Sequence, residues 1–196
     1  MNANILHNLL EKSPREVARE VHKGQKYGDK DYFTHHLEPV AEFSEGLARK
    51  ENYQADLIAR RIRDLAYLHD APEDTNLSGE IISFLFDEKL GNDAEILNKR
   101  HLNEKRKTKD EYFESVSDAI ETAIVKTADR YMNIITLPQT ETDKAIYLFQ
   151  RYGEEFEYFK KYDIFPEIIY SALSDAHMQL ILQEKISKND LKFTRF

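Results

Sequence analysis

The stretch LAYLHDAPEDT, residues 65–75, ends an apolar run with one imidazole and three carboxylates inside six positions. A helical face leads into it, and its apolar members recur at spacings close to one helical turn: Ile58, Ile62, Leu65 and Ala66. His69 continues this face, so the pattern predicts a buried helix with a histidine near its end. Asp70 follows directly, and an imidazole beside a carboxylate can present both donors to one divalent cation.

Pro72 decides how the remaining acidic residues of this stretch are presented. Proline has no backbone N–H for a helical hydrogen bond and disfavours helix at the residue before it, so the helix should bend or end here. Glu73 and Asp74 would then project into a cleft instead of lying along a regular helix surface. A single His-Asp pair is more often an ordinary helix end, so a metal site requires further ligands elsewhere in the chain.

Two other stretches offer such ligands. The first is the doublet His35 and His36, which precedes an apolar helical stripe. The second is KTADRYMN, residues 126–133, in which Asp129 lies near an otherwise apolar face. A carboxylate on a buried face needs compensation, and either a bound cation or a salt bridge to a neighbouring Lys or Arg would supply it.

Composition and patterning favour helices over strands. Only six glycines and five prolines occur in 196 residues, and no convincing alternating strand is present; residues 26–31 are expected to form a short polar loop. Capping and apolar periodicity predict one helix that begins after Ser78 and stops at Gly91. They also predict a long helix from Pro166 to about Glu184 with one apolar face, formed by Ile169, Leu173, Ala176 and Leu180. We therefore expect an all-α fold.

Charge and cysteine content exclude several classes of function. The 28 Lys and Arg against 36 Asp and Glu give a net charge of -8, so no nucleic-acid partner is expected, and the basic run 99–109 is expected to be solvated surface. The lack of cysteine excludes disulfides, thiolate metal sites and cysteine nucleophiles, and fits a reducing compartment. No apolar run approaches the roughly 20 residues of a membrane helix, so we expect a cytoplasmic protein without a membrane partner.

Three stretches together resemble the HD-domain metal-dependent phosphohydrolases, and within them the hydrolase domain of the Rel/SpoT alarmone enzymes and their small stand-alone relatives. These stretches follow the family's order and approximate spacing: HKGQKYGDKDYFTHHLEPVA at 22–41, LAYLHDAPEDT at 65–75 and IVKTADRYMN at 124–133. The resemblance implies a single compact, all-helical HD domain over residues 1–196. Its motif core would span 22–133, with C-terminal helices at 140–186 packing on that core.

The resemblance also implies a set of site residues. The family's first ligand precedes a Val-Ala pair by four and five residues, which selects His36 and leaves His35 as the fallback. The implied metal ligands are His36, His69, Asp70 and Asp129. Glu73 and Asp74 match the family's acidic pair that orients or deprotonates the attacking water. The implied substrate-binding residues, which include replacements for the family's Arg-Lys pair, are Lys26, Tyr27, Lys30, Arg130 and Asn133. His22, Gly24 and Gln25 also match the family.

The activity that the resemblance implies is metal-dependent hydrolysis of a nucleotide phosphate or pyrophosphate ester. One divalent ion, manganese by family resemblance, would serve the reaction, and the leading substrate is the 3'-pyrophosphate of guanosine alarmones (ppGpp and pppGpp). A nucleoside monophosphate phosphatase or a cyclic nucleotide phosphodiesterase on the same metal site is the first alternative. The second is a non-catalytic nucleotide-binding or interaction module. The protein could form a homo-oligomer with any of these three functions.

Overall fold

The computed structural model describes residues 3–51, 56–100 and 105–186, and these are predominantly helical. The α-helices in chain order are α1 (Ala3–Leu9), α2 (Pro14–Val21), α3 (Glu38–Lys50), α4 (Asp56–Leu68), α5 (Ala71–Asp74), α6 (Gly79–Leu85), α7 (Glu88–Leu97), α8 (Lys109–Ser117), α9 (Ile120–Ile135), α10 (Thr142–Lys161) and α11 (Pro166–Leu182). A π-helical turn at Phe33–Leu37 precedes α3, and a 3-10 turn at Leu137–Gln139 follows α9. The predicted all-α fold class is confirmed. No described helix has both the length and the apolar character that crossing a bilayer requires.

A small hairpin replaces the polar loop predicted at 26–31. Its strands are β1 (Lys26–Tyr27) and β2 (Lys30–Asp31), which pair antiparallel. Gly28 in the turn has a φ of 66°, a conformation that glycine adopts without steric cost. The expectation of a loop was wrong here because two residues per strand are too few to show an alternating pattern.

The chain divides into two compact units, Met1–Ala128 and Asp129–Phe196, and the division falls inside α9. Within the first unit, α3 packs on α4, α6 on α7 and α2 on α4. Within the second unit, α10 packs on α11, and both contact the 3-10 turn. The face predicted for α11 is buried, at Ile169, Leu173, Ala176 and Leu180. A single domain over 1–196, with residues 140–186 packing on a 22–133 core, stays a prediction.

The buried face of α4 follows the predicted pattern with one correction. Ile62, Leu65 and Ala66 are buried, but Ile58 is 37% exposed and Ala59 is buried instead. The expectation for Ile58 was wrong because both residues fit a helical stripe that leads to Ile62. Neighbouring positions on a helix point about 100° apart, and at the start of α4 it is Ala59 that faces the core.

Two glycines bring the backbones of α6 and α7 close together. A Cβ atom built on Gly91 would lie 2.3 Å from the carbonyl oxygen of Gly79 and 2.7 Å from the backbone nitrogen of Ser83. A Cβ atom on Gly79 would lie 2.7 Å from the carbonyl oxygen of Gly91. A Cβ atom does not tolerate any of these three distances, so α6 and α7 can pack this closely only with glycine at both positions.

Gly91 therefore has a different role from the predicted helix stop. The helix that begins after Ser78 ends at Leu85, and α7 begins after Asp87, whose carboxylate accepts a hydrogen bond from the backbone N–H of Leu90 at 2.9 Å. Two helices thus replace the single one expected, and Gly91 lies inside the second. The sequence signal was misread because a helical glycine at a close crossing is indistinguishable from a C-terminal glycine without the partner helix.

The basic run 99–109 also differs from a purely solvated surface. Lys107 Nζ lies within hydrogen-bond distance of three carbonyl oxygens near the end of α7, those of Glu95, Ile96 and Asn98 at 3.2, 3.2 and 2.7 Å. These contacts satisfy carbonyl groups that a helix end leaves without helical partners. Lys99 Nζ lies 3.0 Å from Glu73 Oε2, next to the predicted acidic pair. Residues 101–104 of the run lie outside the described residues.

Gly91→Ala is expected to lower the free energy of unfolding by roughly 1–3 kcal/mol, because the added methyl group cannot fit between α6 and α7. Gly46→Ala is the matched control, because Gly46 lies in α3 and a Cβ atom added to it would have no other atom within 4 Å. It should raise stability by about 0.5–1 kcal/mol through helix propensity. Urea unfolding followed by circular dichroism measures both, and equal effects of the two variants would contradict the close crossing.

Candidate metal centre

The π-helical turn at Phe33–Leu37 determines how the histidine doublet is presented. A backbone N–H in this turn donates to a carbonyl five residues earlier, so the turn holds one residue more than an α-helical turn. His36 is buried, at 2% exposed, whereas His35 is exposed and its Nδ1 lies 3.2 Å from the carbonyl oxygen of Asp31. The structure therefore turns His36 inward and His35 outward.

His69 comes from the end of α4, where the buried face continues past the last helical residue. Its Nδ1 lies 2.7 Å from the carbonyl oxygen of Ala66, and a carbonyl only accepts, so Nδ1 donates its proton. In the neutral ring Nε2 then carries the lone pair. A backbone carbonyl that holds the far side of the ring in this way is typical of metal-binding histidines, because it fixes the tautomer and the ring orientation.

Asp129 lies on α9 and is 8% exposed. The side-chain amide of Asn133, one helical turn further on, donates to Asp129 Oδ1 at 2.6 Å and to the Asp129 backbone carbonyl at 2.9 Å. These two bonds hold the carboxylate of Asp129 in one orientation. Asn133, which the resemblance places on the nucleotide, thus also supports a predicted ligand.

One ligand atom from each of His36, His69 and Asp129 lies within 4.8 Å of the other two. Donors bound to one ion at about 2.1 Å can be at most about 4.2 Å apart, so a small contraction would bring all three into coordination range. Two imidazole nitrogens and one carboxylate oxygen suit a divalent transition metal, and all three groups are buried. The structure thus brings together three of the four predicted ligands in a group that fits a divalent metal ion.

Asp70, the fourth predicted ligand, contacts both imidazoles. Its Oδ2 lies 2.9 Å from His69 Nε2 and 3.4 Å from His36 Nε2, and the hydroxyl of Tyr32 donates to the same oxygen at 2.5 Å. Burial raises the pKa of Asp70, but the two imidazoles outweigh burial and hold the pKa well below its usual range. The Asp70 carboxylate is therefore ionised at neutral pH.

Glu73 and Asp74 end the short helix α5, which His69 and Asp70 separate from the end of α4 at Leu68. The helix is thus interrupted near Pro72, as expected, with Pro72 itself in the first turn of α5. Glu73 pairs with Lys99, and Asp74 is exposed. Partial loss of surrounding water, and then the negative charges of Asp70 and Glu73, raise the pKa of Asp74. A carboxylate with a raised pKa is a better proton acceptor, which suits Asp74 to accepting a proton.

Two tyrosine rings lie against His36, and His22 lies against one of them. Tyr27 stacks on His36, with ring centroids 5.0 Å apart and planes at 19°, and the ring of Tyr32 lies 5.0 Å from the same histidine. His22 is 1% exposed, and burial lowers its pKa, so its ring is neutral at pH 7. Sequence patterns did not indicate a role for Tyr32 or for Lys99, because each acts through a residue distant along the chain.

The predicted substrate-binding residues fall into two groups. Lys26 and Lys30 are exposed on the hairpin. Arg130 is 4% exposed, its Nη2 lies 2.6 Å from a carboxylate oxygen of Glu155, and its guanidinium covers the ring of Tyr152 at 4.2 Å. A role of these residues in binding substrate stays a prediction.

The fold is one that the chain shares with solved structures. No protein-family model and no curated protein sequence matches the chain. Seven chains of solved structures match it, and one of them carries the description "A metazoan ortholog of SpoT hydrolyzes ppGpp and plays a role in starvation responses". That structure is 14% identical, has a TM-score of 0.51, and the match covers 95% of this chain and 99% of that one. The resemblance to SpoT-type hydrolases is thus confirmed at the level of the fold.

His36→Ala should abolish tight binding of one divalent ion, whereas His35→Ala should leave it unchanged, because only His36 lies with the other two donors. Loss of a direct ligand should weaken affinity by more than the roughly 10- to 100-fold that follows loss of a residue supporting a ligand. Metal content after loading with Mn²⁺ and gel filtration measures the difference. Equal retention by both variants would remove His36 from the ligand set.

Asp74→Asn should stabilise the metal-free protein at pH 7 and have no effect near pH 3. The pKa of Asp74 is higher in the folded protein than in the unfolded chain, where it is about 3.9. Ionisation of Asp74 therefore lowers the free energy of unfolding as the pH rises above about 3.9, and the full loss remains once the pH exceeds the pKa in the folded protein. Thermal unfolding in EDTA should give a Tm increase of roughly 1–2 °C at pH 7. Asp175→Asn, an exposed carboxylate on α11, is the control. A higher Tm for Asp74→Asn at pH 3 as well would contradict this origin.

Proposed function

We propose that this protein is a metal-dependent hydrolase of nucleotide phosphate or pyrophosphate esters, with the 3'-pyrophosphate of guanosine alarmones as the leading substrate. The single observation that carries the proposal is the buried group of His36, His69 and Asp129 within 4.8 Å, beside the acidic residues of α5. The fold is similar to that of a protein reported to hydrolyse ppGpp, and this similarity supports hydrolysis of a phosphate ester as the reaction.

The proposed ligands are His36, His69, Asp70 and Asp129. A divalent ion bound there supplies Lewis-acid catalysis and lowers the pKa of water, and we propose manganese as that ion. The chain's contribution is to hold the donors before the ion arrives. Ala66 fixes the tautomer of His69, and Asn133 fixes the carboxylate of Asp129.

Asp74 is the proposed general base. Its raised pKa suits acceptance of a proton from water, and Glu73, held by Lys99, orients the same water. The water oxygen forms a new bond to phosphorus, the bond from phosphorus to the ribose 3'-oxygen breaks, and pyrophosphate leaves. The proton taken by Asp74 is then available for the 3'-oxygen that is released.

Charge decides which residues receive the substrate. The negative charges of Asp70, Glu73 and Asp74 repel a phosphate, so cations must compensate them at the site. Lys26 and Lys30 are exposed and can reach phosphate groups in solution. Tyr27, stacked on His36, offers a ring on which a base can stack. Arg130 and Asn133 complete the proposed set, with Arg130 balanced by Glu155 in its present arrangement.

The proposed setting is the cytoplasm, where nucleotide substrates occur and where a chain without cysteine loses nothing by reduction. The partner expected there is the small-molecule substrate, with neither nucleic acid nor membrane required. A homo-oligomer stays compatible with this function.

Turnover of ppGpp with Mn²⁺ should release pyrophosphate, and Asp74→Asn should lower kcat by about 10²- to 10⁴-fold without loss of bound metal, because only the proton acceptor is removed. Glu73→Gln should also lower kcat. Glu80→Gln, an exposed acid on α6, is the matched control and should behave as wild type. The measurement is chromatography of the products from a panel that includes ppGpp, GTP, GMP and a cyclic nucleotide, because ppGpp would give pyrophosphate, GMP would give phosphate and a cyclic nucleotide would give a nucleoside monophosphate.

Each other result of this panel selects a different function. Hydrolysis confined to GMP or to the cyclic nucleotide would replace the proposed substrate with that of a phosphatase or phosphodiesterase on the same site. Full metal occupancy with no turnover of any nucleotide would favour the non-catalytic module. Unchanged kcat in both acidic variants would remove Glu73 and Asp74 from the reaction.

A further inference from the structure

A cleft lies beside the end of α2, within the first unit. Its volume is about 470 Å³, inside the range of about 300–1,000 Å³ that small-molecule sites occupy. The described residues that line it come from α2, the loop after it, β2 and the π-helical turn, and none of them is a predicted metal ligand. Two of the lining side chains are buried: Phe33 at 3% and His22 at 1% exposed.

Two cations on this cleft have no carboxylate partner within the described part of the chain. They are Arg19 and Lys23, both exposed to solvent. The Arg19 guanidinium carbon lies 5.0 Å from the centre of the Phe33 ring, and this stacking restricts the orientation of its donors. A positioned guanidinium beside an ammonium is a favourable arrangement for a phosphate group.

The two carboxylates that line the cleft are already engaged. Glu20 pairs with Lys12 at 3.4 Å, which offsets its charge. Asp31 Oδ1 accepts hydrogen bonds from the backbone N–H and the hydroxyl of Thr34, at 3.0 and 2.9 Å. With the charge of Glu20 offset by Lys12, the two cations outnumber the one remaining lining charge, that of Asp31, which hydrogen bonds from neutral donors leave in place.

His22 lines the cleft, and its ring carries a hydrogen-bond acceptor. The side-chain amide nitrogen of Gln25 donates to the Asp74 carbonyl at 3.2 Å, so the amide oxygen of Gln25 is the atom 2.7 Å from His22 Nδ1. That oxygen can only accept, which places the proton on Nδ1 and the lone pair of the neutral ring on Nε2. Nε2 is buried and has no hydrogen-bond partner among the described residues.

We propose that this cleft binds a small phosphate monoester that also carries a hydroxyl group. Arg19 and Lys23 bind the phosphate, and the hydroxyl donates its hydrogen bond to His22 Nε2. A buried acceptor without a partner costs free energy, and a ligand hydroxyl removes that cost where an apolar group cannot. The site is distinct from the proposed reaction and does not depend on it, because its residues need no metal ion.

Glycerol 3-phosphate and propyl phosphate test the proposal, because they share the phosphate and differ in the hydroxyl groups. Calorimetric titration of the metal-free full chain in EDTA prevents binding through a metal ion. Glycerol 3-phosphate should bind with a Kd of about 1 mM or tighter. Propyl phosphate should bind about three- to tenfold more weakly, which corresponds to the loss of one hydrogen bond.

Arg19→Gln should weaken the binding of glycerol 3-phosphate about tenfold, and Lys23→Gln should also weaken it. Arg15→Gln is the matched control: its guanidinium carbon lies 5.5 Å from the same Phe33 ring, on the same helix, but it pairs with Glu38 and does not line the cleft. The affinity of Arg15→Gln for glycerol 3-phosphate should stay within about twofold of that of the wild type. Circular dichroism of each variant confirms that it is folded.

Imidazole ¹⁵N spectra locate the ligand independently of affinity. Glycerol 3-phosphate should shift the Nε2 resonance of His22, assigned by its loss in His22→Gln, and leave those of His36 and His69 unchanged. The proposal is overturned by no saturable binding, by equal affinity for the two phosphates or by equal effects of Arg19→Gln and Arg15→Gln. Shifts confined to His36 and His69 also overturn it, because they would place the phosphate among the predicted metal ligands.

Discussion

Compensation of buried polar and charged groups is the constraint on which the candidate metal centre depends. His36, His69 and Asp129 are each at most 8% exposed, and a carboxylate at such a depth is costly unless positive charge or hydrogen bonds balance it. Part of the balance comes from the chain itself, because Ala66 holds His69 and Asn133 holds Asp129. The same contacts orient the donors, so the groups that make burial tolerable also prepare the site for a cation.

The acidic residues beside this group separate into two electrostatic environments. Asp70 lies against two imidazoles, which hold its pKa low, whereas Asp74 lies near other carboxylates, which contribute to its raised pKa. Opposite shifts in neighbouring carboxyl groups often mark different chemical roles. In the proposed reaction, Asp70 accordingly remains an ionised ligand while Asp74 exchanges a proton.

Packing outside the quoted sequence stretches determines the surroundings of the acidic pair. The close approach of α6 and α7 depends on Gly79 and Gly91, and Lys107 satisfies carbonyl groups at the end of α7. Lys99 follows that helix directly and reaches Glu73. A residue 26 positions away thus orients a member of the acidic pair, which no local pattern in either stretch indicates.

The sequence by itself determined the helical class, the buried face of α11, the interruption of the helix near Pro72 and the arrival of His69 at the end of a buried helix. Periodicity and proline act within a few residues, so these features are encoded locally. Only the tertiary structure decided the orientation of His36, the break between α6 and α7, and the pairing of Arg130 with Glu155. Each depends on which distant side chain or backbone occupies the neighbouring space. Steric exclusion and charge compensation between residues far apart in the sequence cannot be predicted from either segment alone.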